Sequence, residues 1–190
     1  VPVDFRNEYE YSFNTPDSCI LSNICFKAGS IVKTDQGDIN IENIKPNIHT
    51  INNKKITHVT KTVLTDTRYV LIKKDALGKN VPNKNTYVSG FHKIKFQDSL
   101  IEAYKLSYIN NFVELIKYNK EPLYNIMMDT WEVMVVNNLE AETLHPENVI
   151  YKLNKSAMPY DNKIKLLEEL NTATVNQDFD KFKLIKDHIL

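Results

Sequence analysis

The apolar residues between positions 25 and 150 are divided into many short runs, and polar turn residues separate each run from the next. Runs of this length, rich in Ile, Val, Thr and aromatic residues, are typical of β-strands, whereas a helix needs a longer apolar period. The predicted strands cover residues 31–33, 39–41, 48–51, 56–64, 68–72, 87–88, 94–96, 101–106, 112–117, 123–127 and 132–136. A compact, mainly β domain is therefore expected.

Two turns within this region have a clear signature. Asp35-Gln36-Gly37 lies between two short apolar segments and predicts a β-hairpin, in which the glycine adopts a φ that other residues disfavour. Asn137-Asn138 predicts a second tight turn. The longest internal loop is expected at residues 73–85.

The spacing of the apolar residues changes after Pro159. Apolar residues recur there at helical spacing, in two groups: Ile164, Leu167 and Leu170, then Phe179, Phe182, Ile185 and Ile189. Two helices are predicted, with Asp161 and Asn176 as their N-caps. The predicted organisation is an upstream flanking segment at 1–24, a β domain at 25–150 and a helical extension at 151–190.

The charge balance excludes several classes of partner. The 190 residues contain 24 basic and 24 acidic side chains, so neither nucleic acid nor an anionic membrane is favoured. No apolar run approaches the roughly 20 residues of a membrane span. The chain begins Val1-Pro2-Val3 without Met, so we expect it to be part of a longer polypeptide. It has no signal-peptide pattern, so we expect it to be intracellular. We also expect a monomer.

The two cysteines, Cys19 and Cys25, are too few for a disulfide framework. One interpretation is a pair of reduced thiols. The other is a disulfide between them that would mask Cys25 under oxidising conditions, and the spacing does not decide between the two.

Cys25 has the chemistry of a nucleophile. Because it begins a run that leads into a strand, it does not fit a papain-like protease, whose cysteine opens a helix. Attack on its own upstream carbonyl, that of Ile24, would gain on the order of 7–11 kcal/mol from proximity. A planar amide resists this attack, so a positioned acid or local strain is also required.

Ser89-Gly90-Phe91-His92 is the candidate source of that acid. Histidine is the side chain whose unperturbed pKa lies nearest neutrality, so His92 could give a proton to the departing nitrogen. The Ser89 hydroxyl, three residues earlier, could hydrogen-bond the same peptide. The other histidines, His49, His58 and His188, lack metal-ligand spacing, so no metal or cofactor is expected.

Three blocks of sequence resemble the Hint superfamily of hedgehog and intein self-processing domains. The first, at 25–44, has the pattern Cys-Phe-x-x-Gly-Ser-x-Val-x-Thr, and a later Ile-Glu-x-Ile. The second is Ser89-Gly90-Phe91-His92, where the family usually has Thr-x-x-His. The third, at 123–139, is similar to the late block of the family. The blocks occur in the family's order.

The resemblance implies a Hint fold, a compact horseshoe of many short strands. It implies that Cys25 carries out an N–S acyl shift, that His92 protonates the amide nitrogen and that Ser89 orients or strains the Ile24–Cys25 bond. Hint domains often add an aspartate that tunes the nucleophile, and Asp66 is the nearest match. The reaction would be a single-turnover autoprocessing of the chain's own upstream segment.

The end of the family pattern differs here. An intein ends in His-Asn followed by Cys, Ser or Thr, but this chain has His145-Pro146-Glu147-Asn148-Val149. His145 is retained as a catalytic candidate, whereas Val149 cannot act as a nucleophile. The resemblance therefore implies cleavage without splicing, in which water or a small thiol or alcohol takes the thioester.

Two other functions remain open. The domain could be an inactive Hint fold that serves as a structural or interaction module of a larger protein. Cysteine proteolysis of other chains is the third alternative, and it needs an open substrate groove for which the sequence contains no signal.

Overall fold

The computed structural model describes residues 24–64, 66–176 and 178–189. The upstream segment 1–23, with Cys19, and Thr65 lie outside the described residues, as do the predictions that concern them. The chain divides into two compact units, one over residues 24–146 and one over 147–189. Each unit is described by itself.

Among its described residues, the first unit has thirteen strands and one α-helix, and it is mainly β, as the sequence predicts. The strands are β1 Phe26–Lys27, β2 Ile31–Thr34, β3 Gly37–Asn40, β4 Thr50–Ile51, β5 Lys54–Thr62, β6 Arg68–Ile72, β7 Thr86–Val88, β8 Lys93–Phe96, β9 Ser99–Glu102, β10 Val113–Lys117, β11 Leu123–Met128, β12 Val133–Val136 and β13 Leu139–Glu142.

The strands form two antiparallel sheets. The seven-stranded sheet has the order β10-β6-β7-β1-β11-β5-β4, and the six-stranded sheet has the order β3-β2-β12-β13-β8-β9. The short strand β1 therefore lies in the middle of the larger sheet, between β7 and β11. Phe26 pairs with Val88 on one side and with Tyr124 on the other, and this pairing fixes the position of the preceding residue, Cys25.

The core follows from the apolar runs. β11 contributes the longest buried stretch, because five of its six residues are buried, and it pairs with the nine-residue β5. Its fully buried side chains include Leu123, Ile126 and Met127. A strand that is buried on both faces reads as a continuous apolar run instead of an alternating one, and the sequence has this pattern at 123–128.

Both predicted tight turns are confirmed. Gly37 has a φ of 115° and opens β3 directly after the two-residue turn that follows Thr34. Asn137 and Asn138 have φ values of 49° and 65° and join β12 to β13. Two consecutive left-handed residues match the right-handed twist of the flanking strands, and asparagine tolerates this conformation better than most residues do.

The predicted strand at 101–106 is wrong in its second half. β9 ends at Glu102, and an α-helix, α1 (Ala103–Ile109), follows directly. Ala103 and Leu106 are both buried. Their spacing of three residues places them on one face of a helix, and the prediction assigned that spacing to a strand.

The second unit contains three helices among its described residues, α2 (Val149–Lys155), α3 (Tyr160–Val175) and α4 (Phe179–Ile189). The two helices predicted after Pro159 are confirmed, and α2 was not predicted. Both predicted caps are wrong. Asp161 lies inside the first turn of α3, and the carboxylate of Asp178, not Asn176, accepts the Lys181 amide at 3.1 Å at the start of α4. No helix of the described residues has the length and apolarity that a membrane span requires.

Candidate active site

Cys25 lies directly before β1, and Ser89 lies directly after β7, the strand beside it. Two hydrogen bonds join these residues. The backbone N–H of Cys25 donates to Ser89 Oγ at 2.7 Å, and the backbone N–H of Ser89 donates to the Cys25 carbonyl at 2.9 Å. Both residues are buried. The Ser89 side chain therefore holds the nitrogen of the peptide bond that joins Ile24 to Cys25.

His92 lies one turn beyond Ser89 and is fully buried. Its backbone N–H donates to the Ser89 carbonyl at 3.2 Å, and its ring packs against Phe26 with 4.6 Å between the ring centroids. His92 Nε2 lies 2.7 Å from the carbonyl oxygen of Glu142 on β13. A carbonyl can only accept, so Nε2 carries the hydrogen and Nδ1 has a lone pair. Nδ1 is buried and has no hydrogen-bond partner.

The environment keeps the His92 ring neutral at physiological pH. Burial lowers the pKa of His92 from its ordinary value of 6.5 to about 4, although the backbone groups of Glu142 and Cys25 raise it in part. A neutral ring with a bare Nδ1 is a proton acceptor. Any proton that His92 gives to the amide nitrogen must therefore first be taken from another group.

The Cys25 thiol is enclosed by Leu64, Tyr69, Tyr118 and Leu123. Burial raises the pKa of this thiol well above its ordinary value, and the charge of Asp66 raises it further. Cys25 is a free cysteine that is protonated at neutral pH, so a base is required before it can attack.

Asp66 lies in the segment between β5 and β6, close enough for its charge to act on Cys25. The pKa of Tyr118 is raised to about 12, mainly by burial. The charge of Asp66 is one of the smaller causes that raise it. Residues between β10 and β11 hold this segment by hydrogen bonds. Lys120 Nζ donates to the carbonyls of Leu64 and Asp66 at 3.0 and 2.6 Å, and the Tyr118 N–H donates to the Thr67 carbonyl at 2.9 Å.

The segment after β13 returns to the same region of the sheet. The Leu144 N–H donates to the Ile126 carbonyl at 3.0 Å, and Leu144 forms a parallel bridge with Met127. His145 follows and is exposed. The structure thus brings Cys25, Ser89 and His92 together with Asp66 nearby, and it places His145 at the surface beyond β13.

Two features of the site were not predicted. The Glu142 carbonyl fixes the His92 tautomer, and backbone groups leave no signal in a sequence. Asn125 is fully buried within β11, in the middle of the apolar run 123–128. A single polar residue inside such a run is a signal that could have been used, because a buried amide needs hydrogen-bond partners.

In the described parts of the chain, no three His, Cys, Asp or Glu residues are grouped to hold a metal.

Comparison with known proteins identifies the family. The model of the Hint domain matches residues 24–148, which is more than half of the chain. A bacterial intein-like domain from Clostridium thermocellum is a similar solved structure, with 19% identity, 64% of this chain and 99% of that chain covered, and a TM-score of 0.47. A DnaB intein from Synechocystis sp. PCC 6803 has 12% identity, the same coverage and a TM-score of 0.47. No curated protein matches this sequence. On the family match, the chain belongs to the Hint domain family.

Proposed function

We propose that this domain cleaves the Ile24–Cys25 bond of its own chain through an N–S acyl shift. Membership of a family of self-processing domains supports this proposal. The observation that carries it is the 2.7 Å hydrogen bond from the Cys25 amide to Ser89 Oγ, because it fixes the nitrogen that must leave.

In the first step, the Cys25 Sγ attacks the carbonyl carbon of Ile24. The thiol proton passes to Nδ1 of His92, because the ring is neutral and unprotonated at that atom and a backbone group of Cys25 is near enough to raise the pKa of His92. The new C–S bond forms as the carbonyl π electrons move to the oxygen, giving a tetrahedral oxyanion.

In the second step, the oxyanion collapses and the C–N bond breaks. His92, now an imidazolium in a site where burial disfavours its charge, gives its proton to the departing nitrogen. The product is a thioester between the Ile24 carbonyl and Cys25 Sγ, and Cys25 has a free amino group. The proton that left the sulfur has moved to the nitrogen, so the step is balanced.

In the third step, water or a small thiol or alcohol attacks the thioester. The C–S bond breaks, and the thiolate of Cys25 takes the proton that the nucleophile loses. The upstream segment leaves as an acid, thioester or ester that ends at Ile24. Val149 follows Asn148 and has no nucleophilic atom, so the reaction stops at cleavage.

A second candidate is a Hint fold retained as a structural module. The observation that favours it is the burial of Cys25, which is 2% exposed and whose thiol pKa is raised. A thiol of this kind is inert unless His92 acts as a base. The two candidates therefore differ in one measurable property, which is whether the bond opens.

The test is an intact-mass time course of the purified chain at pH 7, with and without hydroxylamine. Cleavage predicts two fragments, one of which ends at Ile24 as a hydroxamate, and Cys25→Ala should abolish them. Cys19→Ala is the matched control and should cleave at the wild-type rate. An unchanged full-length mass over days in hydroxylamine would establish the structural module instead.

A further inference from the structure

Asn125 holds a buried hydrogen-bond donor that has no partner. The residue has no exposed surface, and its Oδ1 accepts the backbone N–H of Ile126 at 2.8 Å. That contact fixes the orientation of the amide, because a backbone N–H can be accepted only by the oxygen. The other end of the side chain is therefore Nδ2, which is buried and unpartnered. Leaving such a donor unpaired destabilises the folded chain.

The sheet register places this donor beside the reacting residue. Phe26 pairs with Tyr124 and Lys27 pairs with Leu123, so continuing the register by one residue brings Asn125 opposite Cys25. Residues opposite each other in antiparallel strands project from the same face, with Cβ atoms about 5 Å apart. Leu123, two residues before Asn125 and on the same face, packs in the cluster around Cys25.

The neighbouring strands support the same assignment. Asn125 pairs with the buried Thr60 on its other side, so the row across the sheet is Ser89, Cys25, Asn125 and Thr60. Thr60 Oγ1 donates to the Asn125 carbonyl at 3.3 Å. Position 125 therefore lies between Thr60 and Cys25 in the sheet.

We propose that Asn125 Nδ2 donates a hydrogen bond to the oxygen of the Ile24 carbonyl when Cys25 attacks it. This inference rests on the proposed function. A donor without a ground-state partner is suited to a charge that exists only in the transition state, because it stabilises the oxyanion without stabilising the intact bond. Asn125 gives up no proton in the steps above. It only donates a hydrogen bond from Nδ2 to the oxygen of the Ile24 carbonyl.

The test compares cleavage rate with stability. Asn125→Leu removes the donor and keeps a branched side chain of similar length. It should slow cleavage in hydroxylamine by about 10²-fold, the usual loss for one oxyanion donor. Its urea unfolding midpoint, measured in a Cys25→Ala background, shows that the variant is folded and should fall modestly, because leucine removes the Oδ1 acceptor of the Ile126 N–H together with the unpaired Nδ2. Thr60→Val, the matched control in the same row, should cleave within threefold of wild type.

Asn125→Ala is the second variant and should show the same loss of rate if leucine does not fit. Cleavage by both variants within about threefold of wild type would overturn the proposal, as would loss of folding by both, which would assign the amide a structural role. If wild type itself does not cleave, the proposed function fails and this inference fails with it. If wild type cleaves and the variants equal it, only this inference fails.

Discussion

The imidazole of His92 is fixed by the backbone carbonyl of Glu142, which lies 2.7 Å from Nε2. The two residues are 50 positions apart, on the turn after β7 and on the last strand of the domain. The contact sets the tautomer, and burial sets the charge. His92 is therefore neutral and carries its lone pair on Nδ1, and the proposed order of proton transfers starts from this state.

The pH dependence of stability should report the neutral state of His92. The folded pKa of about 4 lies below the unfolded value of 6.5, so between these values only the unfolded chain takes up the proton. Stability is therefore present above pH 6.5 and is lost as the pH falls towards 4, by about 3 kcal/mol for this group. Urea unfolding at a series of pH values, in a Cys25→Ala background, measures the loss.

The same series on the His92→Gln variant isolates this contribution. Burial is the main cause that raises the pKa of Glu142, so the stability that Glu142 contributes is lost as the pH rises. Glu142 is present in both proteins, so its contribution cancels in the comparison. The difference in the free energy of unfolding between the two proteins should therefore narrow as the pH falls from 7 to 4. A difference in the free energy of unfolding that does not change with pH would show that folding does not lower the pKa of His92.

Ser89 should tolerate threonine and not alanine. Ser89→Ala leaves the buried Cys25 N–H without its acceptor, which should cost about 1–3 kcal/mol of stability and slow cleavage. Ser89→Thr retains the oxygen and should keep most of the rate. Urea unfolding and the hydroxylamine time course provide the two measurements. Equal rates for the alanine and threonine variants would remove Ser89 from the mechanism.

The Asp66→Asn variant should lower the pKa of the Cys25 thiol. Asp66 is a cause of its raised pKa, second to burial, so removing the charge should bring the value down while leaving it above that of an exposed cysteine. The measurement is the pH dependence of alkylation by iodoacetamide, followed by mass. A His92→Gln, Cys19→Ser background limits cleavage and leaves Cys25 as the one thiol.

The matched control for this experiment is Asp38→Asn, an exposed carboxylate on β3 in the other sheet. It should leave the alkylation profile of Cys25 unchanged. An unchanged profile for Asp66→Asn would mean that this carboxylate does not act on the thiol.

In the turn between β12 and β13, Asn137 should be more sensitive to substitution than Asn138. Asn137 Oδ1 accepts the Ile31 N–H at 2.8 Å, and its Nδ2 donates to Thr86 Oγ1 at 2.9 Å, both from a left-handed backbone. Asn137→Ala should therefore cost about 2–4 kcal/mol, from two hydrogen bonds and the unfavourable φ. Asn138→Ala, which is exposed, should cost about 1 kcal/mol. Equal costs by urea unfolding would contradict this view of the turn.

The amino-acid sequence determined the parts of this protein that depend on local pattern. Short apolar runs predicted nearly all of the strands, and Gly37 and the Asn137-Asn138 pair marked two turns. The pattern of Cys25, Ser89 and His92 was readable because nucleophile, hydroxyl and imidazole are distinctive residue types. The local pattern failed at residues 103–109, where an apolar spacing fits a helix as well as a strand.

The tertiary structure decided what those residues can do. Whether His92 is an acid or a base depends on burial and on a carbonyl 50 residues away, and neither is visible in the chain. The importance of Asn125 depends on a sheet register that places it opposite Cys25. Charge state, tautomer and cross-strand position are properties of residues brought together from distant parts of the chain, so only the folded structure defines them.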